Sequence, residues 1–197
     1  GLLVLGEFTG PAEAICPRGL LRRVLQRAEG HGLRFLAGLE YEFFVFRETP
    51  HSLREKGYRS LQTLSPGNFG YSVLRSSVHA DLYEALLETC RAGRFPLEGL
   101  HTETGPGVLE AALAPTDALE AADRAALFKT FTKVLFQQRD LLATFMGKWS
   151  GDYPGQSGHV HVSAVDMNGD NRFHDADGAH GMSTLQRQFI AGQQALL

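Results

Sequence analysis

The chain is poor in cysteine, has no block of one charge and no long apolar run. Two cysteines stand in 197 residues, Cys16 and Cys90, in unrelated segments. That spacing excludes a disulfide framework and a Cys-x-x-Cys site, and makes a reducing cytoplasm the expected compartment. The 19 Lys and Arg against 22 Asp and Glu leave a net charge of −3, which supplies no basic footprint for nucleic acid. The densest basic stretch, RGLLRRVLQR (Arg18 to Arg27), follows a helical pattern and reads as a solvated helix face. The apolar start, GLLVLGEF, is short and has no basic residues before it, so neither a secretory signal nor a membrane span is expected of it.

What is present is ordinary soluble-domain material, with 43% hydrophobic and 21% charged residues, enough for one domain, or most of one, with a sizeable core. Pro17 and Gly30 or Gly32 bracket a first helix, and GLEYEFFVF (Gly38 to Phe46) follows it as a strand. The polar stretch from Glu48 to Gly70 reads as a loop too long for a plain connection. A helix is expected from about Ser77 to Cys90. Two short strands follow around Gly105-Pro106-Gly107, and a long helix runs from Thr116 to about Met146, with Glu120 near the capping-box position. SGHVHVSAVD is a further strand, MNGDNRF turns the chain back, and a last helix starts near Ser183. The class is α/β or α+β. The first residue is Gly rather than Met, and the last helix has no C-cap, so a fragment of a longer protein is expected.

Three segments place acids and imidazoles on strands. Alternation puts Glu40 and Glu42 on one face of the first strand, beside Phe44 and Phe46. Two carboxylates so close raise each other's pKa, and desolvation adds to the cost. Glu103 and Glu110 flank the Gly-Pro-Gly turn and can point into one space. His159, His161 and Ser163 alternate along the later strand. Each taken alone is an ordinary solvent face or turn. Together they form a donor set for a hard divalent cation, which would relieve the repulsion and keep the carboxylates ionised. Oxygen-rich ligation favours Mg²⁺ or Mn²⁺, and zinc would be expected to recruit cysteine.

In this order the segments resemble the catalytic domain of the glutamine synthetase superfamily. GLEYEFFVF is similar to that family's Glu-x-Glu strand, and HTETGPGVLE to its Glu-x-x-Pro-Gly-x-x-Glu segment. ATFMGKWSGDYPGQSGHVHVS (Ala143 to Ser163) is similar to its Ala-Thr-Phe-Met-x-Lys stretch leading into a His-x-His-x-Ser strand. PRGLLRRVLQRAEGHG and KGY (Lys56 to Tyr58) also match in place. The resemblance implies an α+β catalytic domain, a curved, largely antiparallel sheet (a partial barrel) flanked by helices. It implies that residues 1–197 are part of that domain, without the N-terminal β-grasp domain and without the C-terminal segment that carries phosphate-binding arginines and a last metal glutamate.

Carried over residue by residue, the resemblance assigns Glu42, Glu103 and Glu110 to the cation nearer the acceptor carboxylate and ammonia. Glu40 and His159 match ligands of the cation that bridges the ATP phosphates. His161 and Ser163 fall where the family contacts nucleotide, and Gly155 matches the loop that holds the amino-acid substrate. The implied reaction is ATP-dependent ligation of the γ-carboxylate of glutamate to ammonia or an amine, by way of an acyl phosphate. The implied setting is a homo-oligomeric ring with no nucleic-acid or membrane partner. Val108 stands where many members carry Gln, Pro154 where ammonia-using members often carry Asn, and Gln156-Ser157-Gly158 replaces Gly-Ser-Gly. These departures lean toward the branch that uses amines, such as the γ-glutamylpolyamine synthetases. The isolated chain is expected to be inactive. A non-catalytic relative is the alternative, against which the retained acids and His159 argue. A calcium loop over Asp166 to Asp177 is disfavoured, because Asn171 replaces the required Gly and Asp177 the bidentate Glu.

Overall fold

A single 14-residue strand, β1 (Leu33–Phe46), organises the chain. Its Tyr41, Phe43 and Val45 point to one face, while Glu40, Glu42, Phe44 and Phe46 point to the other. The computed structural model describes residues 2–196 and divides into two units, one up to Ala37, with Pro115–Ala121 and everything from His161 onward, and the other Gly38–Ala114 with Ala122–Val160.

In the first unit, α1 (Pro17–Glu29) starts on Pro17, whose missing N–H costs nothing there, and Cys16 Sγ accepts from Gly19 N–H. Its basic face is partly neutralised: Glu7 accepts from Arg18 and, at 2.6 Å, from Arg22 Nη2. The N-terminal end of β1 pairs with β4 (Thr116–Asp117) through Leu36 and Ala37. β6 (Val160–Asp166) reverses at Asn168-Gly169, where Gly169 N–H donates to Asp166 O. Asp166 Oδ1 accepts the N–H groups of Asn168 and Asp170, so this carboxylate closes the hairpin turn that the sequence favours over a calcium loop. Ser183 caps α6 (Thr184–Ala195), and Phe189 of that helix stacks on Phe35 at 5.6 Å and meets Phe173 at 5.2 Å.

In the second unit, β1 pairs antiparallel with β3 (Val108–Leu113), and β3 with β2 (Leu97–Thr102). β5 (Leu142–Thr144) pairs with the last three residues of β1. The sheet is mixed with helices and its path β2-β3-β1-β4 is open, not closed into a barrel. Tyr41 and Phe43 pack against α5 (Ala118–Gln137), where Phe128 and Phe136 are fully buried. Phe43 stacks on Phe145 at 5.1 Å and meets Phe128 and Phe136 edge-on. Leu82, Leu86 and Cys90 of α4 (Ala80–Ala92) complete this core. Each such aromatic or aliphatic side chain contributes roughly 1.5–3 kcal/mol by burial. Burial pushes the Cys90 thiol up to about 12, leaving it an inert core member.

Three expectations are corrected here. The helix expected to reach Met146 ends at Gln137. Asp140 takes a positive φ of 55°, and Leu142-Ala143-Thr144 then gain a strand partner in β1 that apolar spacing does not reveal. The helix itself starts at Ala118, which leaves Asp117, the second of the two cap positions Thr116 and Asp117 open to the sequence, just before it; Thr116 lies in β4 and its hydroxyl donates to Glu120 Oε2 at 2.9 Å. The helix expected from Ser77 is two, α3 (Val73–Val78) and α4, broken at His79. The polar stretch after Glu48 also holds a short helix, α2 (Pro50–Glu55), started by a reciprocal Thr49–Ser52 capping box.

Candidate active site

Pairing register assembles the site. Glu42 on β1 is the direct partner of Glu110 on β3, and Glu110 is the direct partner of His101 on β2. A carboxylate, a second carboxylate and an imidazole thus stand in one row across three strands, on the face opposite the aromatic core. Like charges directly opposite one another are destabilising on a bare sheet. A bound cation would offset that cost.

Glu103 sits just past the end of β2 and is 8% exposed. Its Oε1 accepts from Thr104 N–H at 2.6 Å and from Thr104 Oγ1 at 2.7 Å. Its Oε2 is buried and has no partner at full hydrogen-bond geometry among the described residues, with the Tyr71 hydroxyl and Glu110 beside the carboxylate. Ligand atoms of His101, Glu103 and Glu110 all lie within 4.8 Å of one another. His101 Nε2 is 3.6 Å from Glu110 Oε2. Burial and the neighbouring carboxylates of Glu40, Glu42 and Glu103 push the Glu110 carboxyl up, against the pull of His101. Burial also acts to raise Glu103, but the Thr104 hydroxyl and N–H outweigh it and hold that carboxyl below its usual range.

The segment between β5 and β6 closes on the same face. Ser157 N–H donates to Glu42 Oε2 at 2.7 Å, and Gln156 Nε2 donates to Thr104 O at 2.9 Å. Glu42 N–H and Glu40 N–H donate to Ser157 O and His159 O. His159 Nδ1 lies 2.9 Å from Glu40 Oε2. Two glycines permit these approaches. A Cβ on Gly158, which has φ 155°, would lie 2.1 Å from Glu40 O, and one on Gly107, at φ 70°, would lie 2.6 Å from Val45 O. Gly155 lies in this same segment, beside Gly147, where a Cβ would meet Gly147 O at 2.8 Å.

Glu40, Glu42, Glu103, Glu110 and His159 are therefore brought to one sheet face of the second unit. His161 and Ser163 are exposed on β6, within the first unit. Val108 is buried against Phe44 and Phe46, and Pro154 is exposed. Sequence reasoning missed His101 and Tyr71. The alternation that links Glu40 to Glu42 links His101 to Glu103 and was there to be read. Tyr71 carries no such signal: it has φ 54°, donates its N–H to Thr102 O at 2.7 Å, and stacks on His101 at 4.8 Å. The Glu103 carboxylate pushes the Tyr71 hydroxyl pKa up.

A buried carboxylate oxygen without a full hydrogen-bond partner, beside a second carboxylate raised by its neighbours, is a donor set that fits a hard divalent cation. The fold and this face define an α+β domain that carries a carboxylate-rich donor set on one sheet face. The chain belongs to the glutamine synthetase family: the family model "Glutamine synthetase, catalytic domain" matches residues 14–197. It is 43% identical over 184 residues to type-1 glutamine synthetase 2 of Dictyostelium discoideum, covering 93% of this chain and 35% of that protein. It is 32% identical over 190 residues to a glutamate–isopropylamine ligase of a Pseudomonas species, covering 96% and 41%. The ligand-free structure of GmaS superposes with a TM-score of 0.78 at 27% identity, over 90% of this chain and 40% of that one. The chain spans about two fifths or less of the length of these relatives.

Proposed function

We propose that the protein to which this chain belongs joins the γ-carboxylate of glutamate to ammonia or an amine at the expense of ATP, and that it works in the cytoplasm as a homo-oligomeric ring. The observation that carries this reading is the row Glu42–Glu110–His101 with the buried Glu103 oxygen beside it, in a chain of the glutamine synthetase family. Glu42, Glu103 and Glu110 would hold one Mg²⁺ or Mn²⁺, and Glu40 with His159 would contribute to a second. Such cations supply charge neutralisation between carboxylate and phosphates and stabilise the transferring oxygens.

The chain's own residues set the geometry. Ser157 N–H and the Thr104 donors fix which carboxylate oxygens of Glu42 and Glu103 stay available. A glutamate γ-carboxylate oxygen attacks the terminal phosphorus of ATP, the bond to the ADP oxygen breaks, and a γ-glutamyl phosphate forms. The amine nitrogen then attacks the acyl carbon, inorganic phosphate leaves, and the nitrogen loses one proton. Preorganised strands suit this task, since little reorganisation remains at the moment of transfer. Gly155 would lie against the amino-acid substrate, and His161 and Ser163 against nucleotide. Pro154, exposed between β5 and β6, supports an amine as the acceptor, because it departs at a position where the family meets substrate rather than cation; Val108, buried against Phe44 and Phe46, adds nothing to that reading.

The test is ATP- and glutamate-dependent phosphate release by the full-length protein with ammonia, isopropylamine and putrescine in parallel. Turnover with one of them is the expected result, with none from the isolated 197-residue chain. A folded full-length protein that released no phosphate with any acceptor would overturn the reading and favour a non-catalytic relative.

A further inference from the structure

The departure at Gln156 puts a long amide side chain where the family resemblance has glycine, and the structure buries it: Gln156 is 8% exposed. Its backbone N–H donates to Gly147 O at 2.7 Å, within the β5–β6 segment. Its side-chain Nε2 reaches out of that segment and donates to Thr104 O at 2.9 Å. Gly105 makes room for the amide, since a Cβ there would lie 3.2 Å from Gln156 Nε2.

Thr104 has no ladder to hold it. The β2–β3 pairing ends at Thr102–Leu109, and Thr104 lies beyond it, in the turn where Gly105 and Gly107 take φ of 138° and 70°. Thr104 in turn fixes Glu103, because its N–H and its hydroxyl both donate to Glu103 Oε1, at 2.6 Å and 2.7 Å. A carboxylate with one oxygen taken twice presents the other. The residue after Gln156 does the same for the neighbouring strand: Ser157 N–H donates to Glu42 Oε2 at 2.7 Å. Two adjacent residues of one segment thus hold two carboxylates, Glu42 of β1 and Glu103 at the end of β2. A buried amide that gives up its acceptor is left unsatisfied, so this tie is costly to break.

We propose that Gln156 is a positioning residue for the cation assigned to Glu42, Glu103 and Glu110: it ties the Glu103 turn to the segment that holds Glu42, so that both carboxylates meet the ion in one fixed geometry. The inference rests on that cation assignment and adds to it a residue that acts through Thr104 and Glu103 without ligating. Groups that orient metal ligands in this way govern affinity by about tenfold to a hundredfold.

The experiment is Mn²⁺ titration of the full-length protein followed by electron paramagnetic resonance, with urea unfolding to show that each variant is folded. Gln156→Met keeps the length of the side chain and removes its donor. It weakens one Mn²⁺ site by about tenfold or more and leaves the site of Glu40 and His159 within about twofold of the unaltered protein. Gln156→Asn, an amide too short to reach Thr104 O, has the same selective effect. Glu103→Gln weakens the same site, and Gln156→Met added to it costs less than Gln156→Met alone, because both act through one carboxylate. Unchanged affinity in both Gln156 variants, equal weakening of the two sites, or full additivity with Glu103→Gln overturns the proposal. Phosphate release by the unaltered protein reads the ligase assignment separately. Turnover with Mn²⁺ binding indifferent to Gln156 sinks the positioning role alone, and a site-selective loss without turnover sinks the ligase assignment alone.

Discussion

Glu42 and Glu110 are Cα partners across the β1–β3 ladder, and Glu42 Oε2 also accepts the Ser157 N–H at 2.7 Å. Two carboxylates opposed in this way weaken a sheet unless a cation lies between them and the ligands they serve. Glu42→Gln in the full-length protein should therefore lower Mn²⁺ affinity by at least about tenfold while changing the unfolding free energy by less than about 1 kcal/mol. Titration of Mn²⁺ followed by electron paramagnetic resonance, alongside urea unfolding, reads both quantities. Unchanged affinity and unchanged activity would make the row a solvent face.

At Gly158 the backbone of the β5–β6 segment passes close against β1. Gly158→Ala places a methyl group 2.1 Å from Glu40 O at a φ of 155°. It should destabilise by about 2 kcal/mol or more and weaken cation binding with it, because Glu40 and His159 shift together. Gly151→Ala, with no atom within 4 Å of the added carbon, is the matched control and should be near neutral.

The acid side of the stability curve should be set in part by Glu48, 2% exposed. Lys56 at 2.6 Å, Ser52 at 2.6 Å and the Gln62 N–H at 3.0 Å hold its pKa down at about 2 against burial. A folded-state pKa below the unfolded value of about 4.3 gives stability that is fully present above that value and is lost as pH falls toward about 2. Glu48→Gln should flatten this limb, which urea titrations across that pH window would show. The effect should be of order 2 kcal/mol, because Lys56 is partly solvated.

Phe128 anchors the other face of β1. It is fully buried and meets the rings of Tyr41, Phe43 and Phe145. Phe128→Ala should destabilise by about 3–5 kcal/mol, and Phe128→Leu by less than about 1.5 kcal/mol, in chemical denaturation.

The sequence and the structure agree where a local signal matches the tertiary outcome. Pro17 and Gly30 mark α1, and the alternation of GLEYEFFVF marks both faces of β1. The Gly105-Pro106-Gly107 turn brings Glu103 and Glu110 within reach of each other. What stayed hidden depends on partners distant in the chain. Leu142-Ala143-Thr144 is a strand because Val45 is beside it, and Tyr71 reaches the site because Thr102 O takes its N–H. His101 was legible by the same alternation that exposed the glutamate pair. The His79 break between α3 and α4 has no Gly or Pro to mark it, and helix-compatible residues run through it from Ser77 to Ala80.

β1 also acts as its own proofreader. Over Glu40–Phe43 the carboxylates occupy one side of the strand and Tyr41 and Phe43 the other, so a one-residue slip in pairing would drive Glu40 and Glu42 among Phe128 and Phe136 and move Phe43 to the carboxylate side. No misaligned sheet could keep its hydrophobic contacts and only lose its chemistry. In this strand a folding error is also an error in the carboxylate row, and a molecule that packs correctly has already aligned its carboxylates.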